Sequence, residues 1–473
     1  MKKFLTLLLA LTVMFSLISC QGDSLNESSL NESEHESAES NTSSEQSQEG
    51  IESGTQDDDT ADIDVLKINR NVTIEETVLY DSNNVKISAV GISEGILGTE
   101  IDLKIENSGN IDIIVSNGSA VSVNGYTLNN ASVRAEVPAG KTAYPDLTLF
   151  DEVLLLSGIT DIAEISFSLE ICDDEYNSIF NTGYLTIETS AKDGYEKKNG
   201  YKTVLNDPDL LSQIDSELIF YTERDLLSNE YVDLVSQAMI NDSYGNDVFI
   251  LEFENKYHED LLVNISALAI NGLVFPEAIN YSWIAKGTKT LISFEVGNIL
   301  SENFPEHLGL TAISDFTFAV NVADSNGSNL IFDQRVEYTV ESERVPLNMS
   351  GKVVYDTDDF RVISKGWFNK NNGSENEYCL VFIIENNWNK TIKYGRIGGD
   401  YLAINKGSIK YDVQGVEILP GTSGLVTVTV KSKHAEEHGI YSINDIDNFT
   451  FTVATYLDSP EAYKLLFTCT VSK

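Results

Sequence analysis

Two strings in this 473-residue chain place reactive residue types at catalytic spacing. His434-Ala435-Glu436-Glu437-His438 fits H-x-x-E-H, where two histidines one helical turn apart bind zinc and a glutamate activates water. It falls just before Gly439, where two related stretches read EVLLLSG and ENFPEHLG. The short remainder of the chain is needed for strands, which leaves little to supply a third ligand. A charged helical turn on the surface is therefore expected, with a zinc hydrolase built on His434 and His438 as the least favoured alternative. Gly91-Ile92-Ser93-Glu94-Gly95 fits G-x-S-x-G, the turn that presents a nucleophilic serine before a helix. The next residues, ILGTEIDLKIE, alternate like a strand, so a hairpin loop is expected. With no phosphate loop, dinucleotide fingerprint or cysteine pair at metal spacing, the reading is of a chain without catalytic residues, metal or cofactor.

Clustered carboxylates on a loop suit calcium, and three turns carry them: Asp356-Thr357-Asp358-Asp359, Asp173-Asp174-Glu175, and Asp445 with Asp447. The counterpart of the first is Asp81-Ser82-Asn83-Asn84, which has turn chemistry and few charges, so turns are expected. Among the tryptophans, Trp283 falls in a strand and reads as core. Trp367 and Trp388 sit on either side of one strand, too far apart to line one pocket. Trp388 lies at a turn tip where the first copy of the repeat has Gly109. With Asp356, Asp358 and Asp359 it forms the candidate ligand-binding patch, an exposed aromatic beside carboxylates.

These residues are positioned by a repeated element. Ile101, Leu103 and Ile105 lead into Glu106-Asn107; Phe249, Leu251 and Phe253 into Glu254-Asn255; Leu380, Phe382 and Ile384 into Glu385-Asn386. Asn124 and Gly140, Asn271 and Gly287, and Asn405 and Gly421 are each sixteen residues apart. One spacing in three copies means one repeated unit. From Ile63 onward, short alternating runs are punctuated by Asn, Asp, Gly and Ser, the pattern of antiparallel strands with tight turns. In the first repeat, strands are predicted over 73–80, 85–90, 100–107, 111–115, 120–124, 127–137, 141–149, 162–172 and 184–189. A helical turn over 151–157 would be capped by Asp151 and ended by Gly158. About nine strands in roughly 125 residues suit a two-sheet sandwich, and the lack of alternating helices excludes a parallel α/β fold. The stretch 191–215 carries four lysines and a short helix opened by Asp207-Pro208, and is expected to be a hinge.

The chain opens with two lysines, an apolar run from Phe4 to Leu17, and Leu17-Ile18-Ser19-Cys20. The run is too short to span a bilayer and has the flanks of an export signal. Its end resembles the lipobox of bacterial lipoproteins, which implies cleavage after residue 19 and lipidation of Cys20. Several acyl chains would give a stable anchor. Residues 21–62 hold thirteen acidic groups and no lysine or arginine, a composition that stays solvated and extended. The chain as a whole has a net charge of −43, and the third repeat, with 15 acidic and 13 basic groups, comes closest to neutrality. No basic stripe argues for nucleic acid. Cys172, Cys379 and Cys469 are expected to be thiols serving as small hydrophobes, Cys379 and Cys469 facing opposite sides of their strands.

The strings EETVLYDSNNVKISAVGISEGILGTEIDLKIENSGNIDIIVSNGSAVSVNGYTL, VPAGKTAYPDLTL and SGITDIAEISFSLEI resemble the repeated immunoglobulin-like, or telokin-like, modules of exported lipoproteins from Gram-positive bacteria. The resemblance is close in the first repeat, moderate in the third and partial in the second, and it brings no activity with it. The expected organisation is all-β: a signal peptide over 1–19, lipidated Cys20 and a disordered acidic tether to 62, and immunoglobulin-like sandwiches over 63–190, 216–343 and 347–473, with a linker over 191–215. The expected function is non-catalytic: a lipid-anchored protein on the outer side of the cell membrane that displays its modules to a protein or glycan partner. The alternative is an accessory or solute-capturing lipoprotein of an envelope complex.

Overall fold

The computed structural model describes residues 66–196, 200–276, 278–302, 305–310, 312–340, 346–371, 376–397, 402–405, 407–456 and 463–472. Cys20 and the tether lie outside them. The protein is all-β, its strands stacked in sandwich-like sheets around apolar cores. In the first repeat, Val85–Glu94 and Gly98–Asn107 form an antiparallel hairpin that presents Ile101, Leu103 and Ile105 inward. Glu164–Cys172 in the opposite sheet presents Ile165, Phe167, Leu169 and Ile171, and all seven side chains are fully buried in one cluster. The corresponding strand Asp315–Asp324 buries Phe316, Phe318, Val320 and Val322. Strict period-two alternation in the sequence is what selects one face of each strand for the core.

The recurring asparagines are joints of this frame. Asn107 is buried, and its amide donates to the carbonyls of Ile111 (2.8 Å) and Val137 (2.9 Å) while its oxygen accepts from the Gly109 N–H. Asn255 makes the same three contacts with Glu259, Ile284 and Tyr257, and Asn386 with Lys390, Ile418 and Trp388. A second set, Asn124, Asn271 and Asn405, sits in the left-handed region at φ 52°, 52° and 49°. Each donates to one carbonyl, of Asp161, Ala312 or Asp445, and accepts from backbone N–H groups at the start of the next long strand. Asparagine suits both places because its carboxamide donates and accepts at once and the residue tolerates positive φ.

Consecutive repeats share sheets. Tyr126–Leu128 of the first repeat pairs in parallel with Lys289–Glu295 of the second, joining one ten-stranded sheet. Leu273–Val274 pairs with Ser423–Lys431 of the third in the same way, joining another. The Lys289 N–H donates to the Gly125 carbonyl at 2.9 Å and the Ser423 N–H to the Gly272 carbonyl at 2.8 Å, so the two junctions repeat each other atom for atom. Strands at these junctions bury both faces. In Asn376–Asn386, Leu380, Phe382 and Ile384 pack in the third core while Cys379, Val381 and Ile383 pack in the second. In Asp247–Asn255, Phe249, Leu251 and Phe253 pack in the second core and Val248 and Ile250 in the first.

At the first junction the outward face of Asp247–Asn255 also carries Glu252, fully buried. It accepts from the Tyr126 hydroxyl (2.7 Å) and the Ser236 hydroxyl (2.8 Å), and Lys289 Nζ lies 3.1 Å away. Burial, with the Glu252 charge beside it, pushes the Tyr126 phenol far above its ordinary pKa.

Three expectations change. The linker is not a free hinge: Asp207 caps Pro208–Ser212 as expected, but Tyr201, Val204, Leu205, Leu210 and Leu211 are buried in the first cluster, filling the gap beside the outward face of the second repeat. Its lysines had suggested solvent, yet its apolar residues recur at helical spacing. Asp151 is not the cap of its helix Asp151–Leu156; it pairs with Arg70 and accepts from Thr99. The long runs 127–137 and 141–149 are each broken in two, the first after Leu128 at Asn129-Asn130, the second at Pro145, which cannot donate to a ladder.

Candidate functional site

The patch proposed from sequence is partly assembled. The turn between Lys352–Asp356 and Phe360–Asn371 lies beside the turn that holds Trp388, since the Asn387 N–H donates to the Asp359 carbonyl at 2.9 Å. Trp388 is not a free platform, however. It is half-buried against the third core, meets Phe360 edge-to-face at 5.9 Å, and has Lys390 Nζ 5.2 Å from its ring centroid. Asp356 faces Arg361 at 3.8 Å, and Thr357 closes the turn with Phe360, so this acidic loop has the local bonding of a turn. The other acidic turns are built likewise. Asp173 accepts from the Glu175 and Asn177 N–H groups and from the Asn177 amide, which hold its carboxyl below the usual range. Asp445 forms a capping box with Ser442.

His434 lies on the five-residue helix Ser432–Glu436 and His438 just beyond it. Counting back from Gly439, Gly309 and Gly158, which end the turns at φ 73°, 74° and 70°, Ala435 matches Leu154 and both are fully buried in their own cores. His434, Glu436 and Glu437 then match Val153, Leu155 and Leu156, which pack partly against the first cluster beside the linker helices. His434, Glu436 and Glu437 thus stand where the first repeat has apolar residues on the outward side of this turn, and His438 matches Ser157. Among the described residues no group of three or more His, Cys, Asp or Glu is placed to hold a metal ion. Ser93 is the penultimate residue of the strand Val85–Glu94, its hydroxyl donates to Asp102 at 2.9 Å, and the chain turns straight into Gly98–Asn107; a hairpin occupies the G-x-S-x-G string.

The sequence reading missed a groove of about 380 Å³ in the third repeat, between the strands Lys352–Asp356 and Phe360–Asn371 on one side and the 443–447 turn on the other. Its floor is Trp367 and Phe449, edge-to-face at 5.8 Å, and its rim carries Lys352, Lys365, Asn444 and Asp447. Lys365 Nζ donates to the carbonyls of Asn348 (2.9 Å) and Ser350 (2.6 Å), and desolvation lowers its pKa. The legible signal was Ser364-Lys365-Gly366-Trp367, where Gly366 at φ 94° makes a bulge in the pairing and sets a cation beside an aromatic. Trp367 itself lies within a strand and not before one. Trp283, expected in the core, is 37% exposed on Asn280–Ile284 and donates to the Ser325 carbonyl. Cys379 is a buried thiol pushed up to about 11 by desolvation, facing the second core; the side chain of Cys469 lies outside the described residues.

No protein-family model and no curated protein matches the chain. A protein of unknown function from Porphyromonas gingivalis W83 is 11% identical over 48% of this chain and 90% of its own, with a TM-score of 0.14. The exo-chitosanase CsxA of Amycolatopsis orientalis is 7% identical over 85% of this chain and 79% of its own, with a TM-score of 0.17. Likeness at this level carries no functional argument.

Proposed function

We propose that this chain is a non-catalytic surface lipoprotein. Lipid on Cys20 holds it to the outer side of the cell membrane, the acidic segment 21–62 serves as a tether, and three immunoglobulin-like sandwiches are displayed in a row to a protein or glycan. The observation that best supports this reading is the sharing of sheets between consecutive repeats. Strands that bury one face in each of two cores leave little freedom for the repeats to swivel, whereas modules meeting at small polar interfaces would move independently. A stiff row suits presentation of its distal repeat at a distance from its attachment. A chain of 42 residues spans roughly 35 Å as a flexible coil, and self-repulsion of its thirteen carboxylates extends it further. The test is protease added to intact cells. Cleavage within 21–62 should release one large fragment that contains all three repeats into the medium. Protection until the cells are broken would place the chain inside and overturn the proposal.

A further inference from the structure

The groove beside Trp367 has features that the turn at Trp388 lacks. Trp388 is occupied by Phe360 and Lys390, while the Trp367 groove is concave and has an apolar aromatic floor under a polar rim. At about 380 Å³ it falls at the small end of the range of roughly 300–1,000 Å³ for small-molecule sites, which suits a ligand of one or two rings and not a folded surface. Its charge is unusual for this protein. The chain carries −43 overall, yet among the described residues that line this groove Lys352 and Lys365 are the cations and Asp447 the carboxylate. Lys365 is held in place by two backbone carbonyls, which fix its position without neutralising its charge, and among the described residues no carboxylate forms an ion pair with it. A fixed, partly desolvated ammonium is an anion site. Asn444 and Asp447 add an amide and an acceptor that can meet hydroxyl groups.

We infer that this groove binds an anionic saccharide, with a sugar ring against Trp367 and Phe449 and its acid group on Lys365 and Lys352. Hydroxyl groups of the same ring donate to Asp447 and meet the Asn444 amide. This inference rests on the glycan branch of the proposed function and assigns it to one repeat. A side chain at position 366 would have space, but the positive φ there favours glycine, which retains the bulge that sets Lys365 beside Trp367.

The experiment titrates the detergent-solubilised full chain with tetragalacturonate and with neutral maltotetraose, following tryptophan fluorescence and heat. Saturable binding of tetragalacturonate and not of maltotetraose is expected. Lys365→Gln should weaken it about tenfold, the size of one lost charge-assisted hydrogen bond. Because Lys365 also ties down Asn348 and Ser350, Lys352→Gln, an exposed change, provides the second arm and should weaken binding in the same direction. Absence of saturable binding, equal binding of maltotetraose or of tetraglutamate, or full affinity in both lysine variants would overturn the inference. Release of the chain from intact cells by protease is unaffected by any of these results, so failure here is distinguishable from failure of the display proposal.

Discussion

Replacing Asn386 by alanine tests whether the repeated asparagines hold the frame. The side chain is 1% exposed and makes three hydrogen bonds, two from its amide to the carbonyls of Lys390 and Ile418, both at 2.9 Å, and one accepted from the Trp388 N–H at 3.1 Å. Leaving a buried group unsatisfied costs about 1–3 kcal/mol, and the two bonds nearer solvent contribute about 0.5–1.5 kcal/mol each. The sum is roughly 2–6 kcal/mol, and at about 2–4 °C per kcal/mol for a unit of this size the melting temperature should fall by roughly 4–24 °C. Calorimetry on the wild type and on Asn386→Ala measures it. Asn107→Ala and Asn255→Ala should show losses of similar size, since their contacts are the same. Asn386→Asp adds a pH signature: its carboxylate would face two carbonyls, so its folded pKa is raised. The unfolded chain ionises first as pH rises, and the variant should lose stability progressively above about pH 4. A fall of less than about 2 °C in Asn386→Ala, or no pH dependence in Asn386→Asp beyond that of the wild type, would refute the reasoning.

Two further outcomes are expected from the same geometry. Lys289→Met removes the cation 3.1 Å from the fully buried Glu252 and should destabilise the first junction by about 3–5 kcal/mol, read as a lower urea midpoint; a change below about 1 kcal/mol would show that Tyr126 and Ser236 suffice to hold the charge. His434→Ala with His438→Ala should shift stability by no more than about 0.5 kcal/mol each, and zinc should not copurify at one per chain; stoichiometric zinc would restore the hydrolase reading.

Much of the strand pattern was legible because alternation directly marks a half-buried strand, as in GTEIDLKIEN. The sharing of sheets was also written in the sequence, in a form easily passed over. The counterparts DVFILEFEN and NEYCLVFIIEN are apolar on both faces, the mark of a strand covered on both sides. At the outward positions where the first repeat has Asp102 and Lys104, the third has Val381 and Ile383. The common spacing of Asn124, Asn271 and Asn405 identified a repeat but not its cause, because carbonyls some forty residues away, such as that of Asp445 for Asn405, become partners only when the sandwich closes. The Trp367 groove was legible only on one side, in Ser364-Lys365-Gly366-Trp367, because its other wall, near residue 447, is far along the chain and meets the first only across the fold. Trp388 was misjudged because a turn tip is normally exposed, and nothing local indicates that Phe360 stands beneath it.

The proposed placement of the protein on the cell rests on Cys20 as the attachment point. Cells producing the wild-type chain and the Cys20→Ser chain would be labelled with radioactive palmitate and separated into membrane and soluble fractions. The wild type should carry label and sediment with membranes, and the Cys20→Ser chain should lose both properties. Membrane retention of Cys20→Ser at the wild-type level, or a wild type without label, would contradict the central claim.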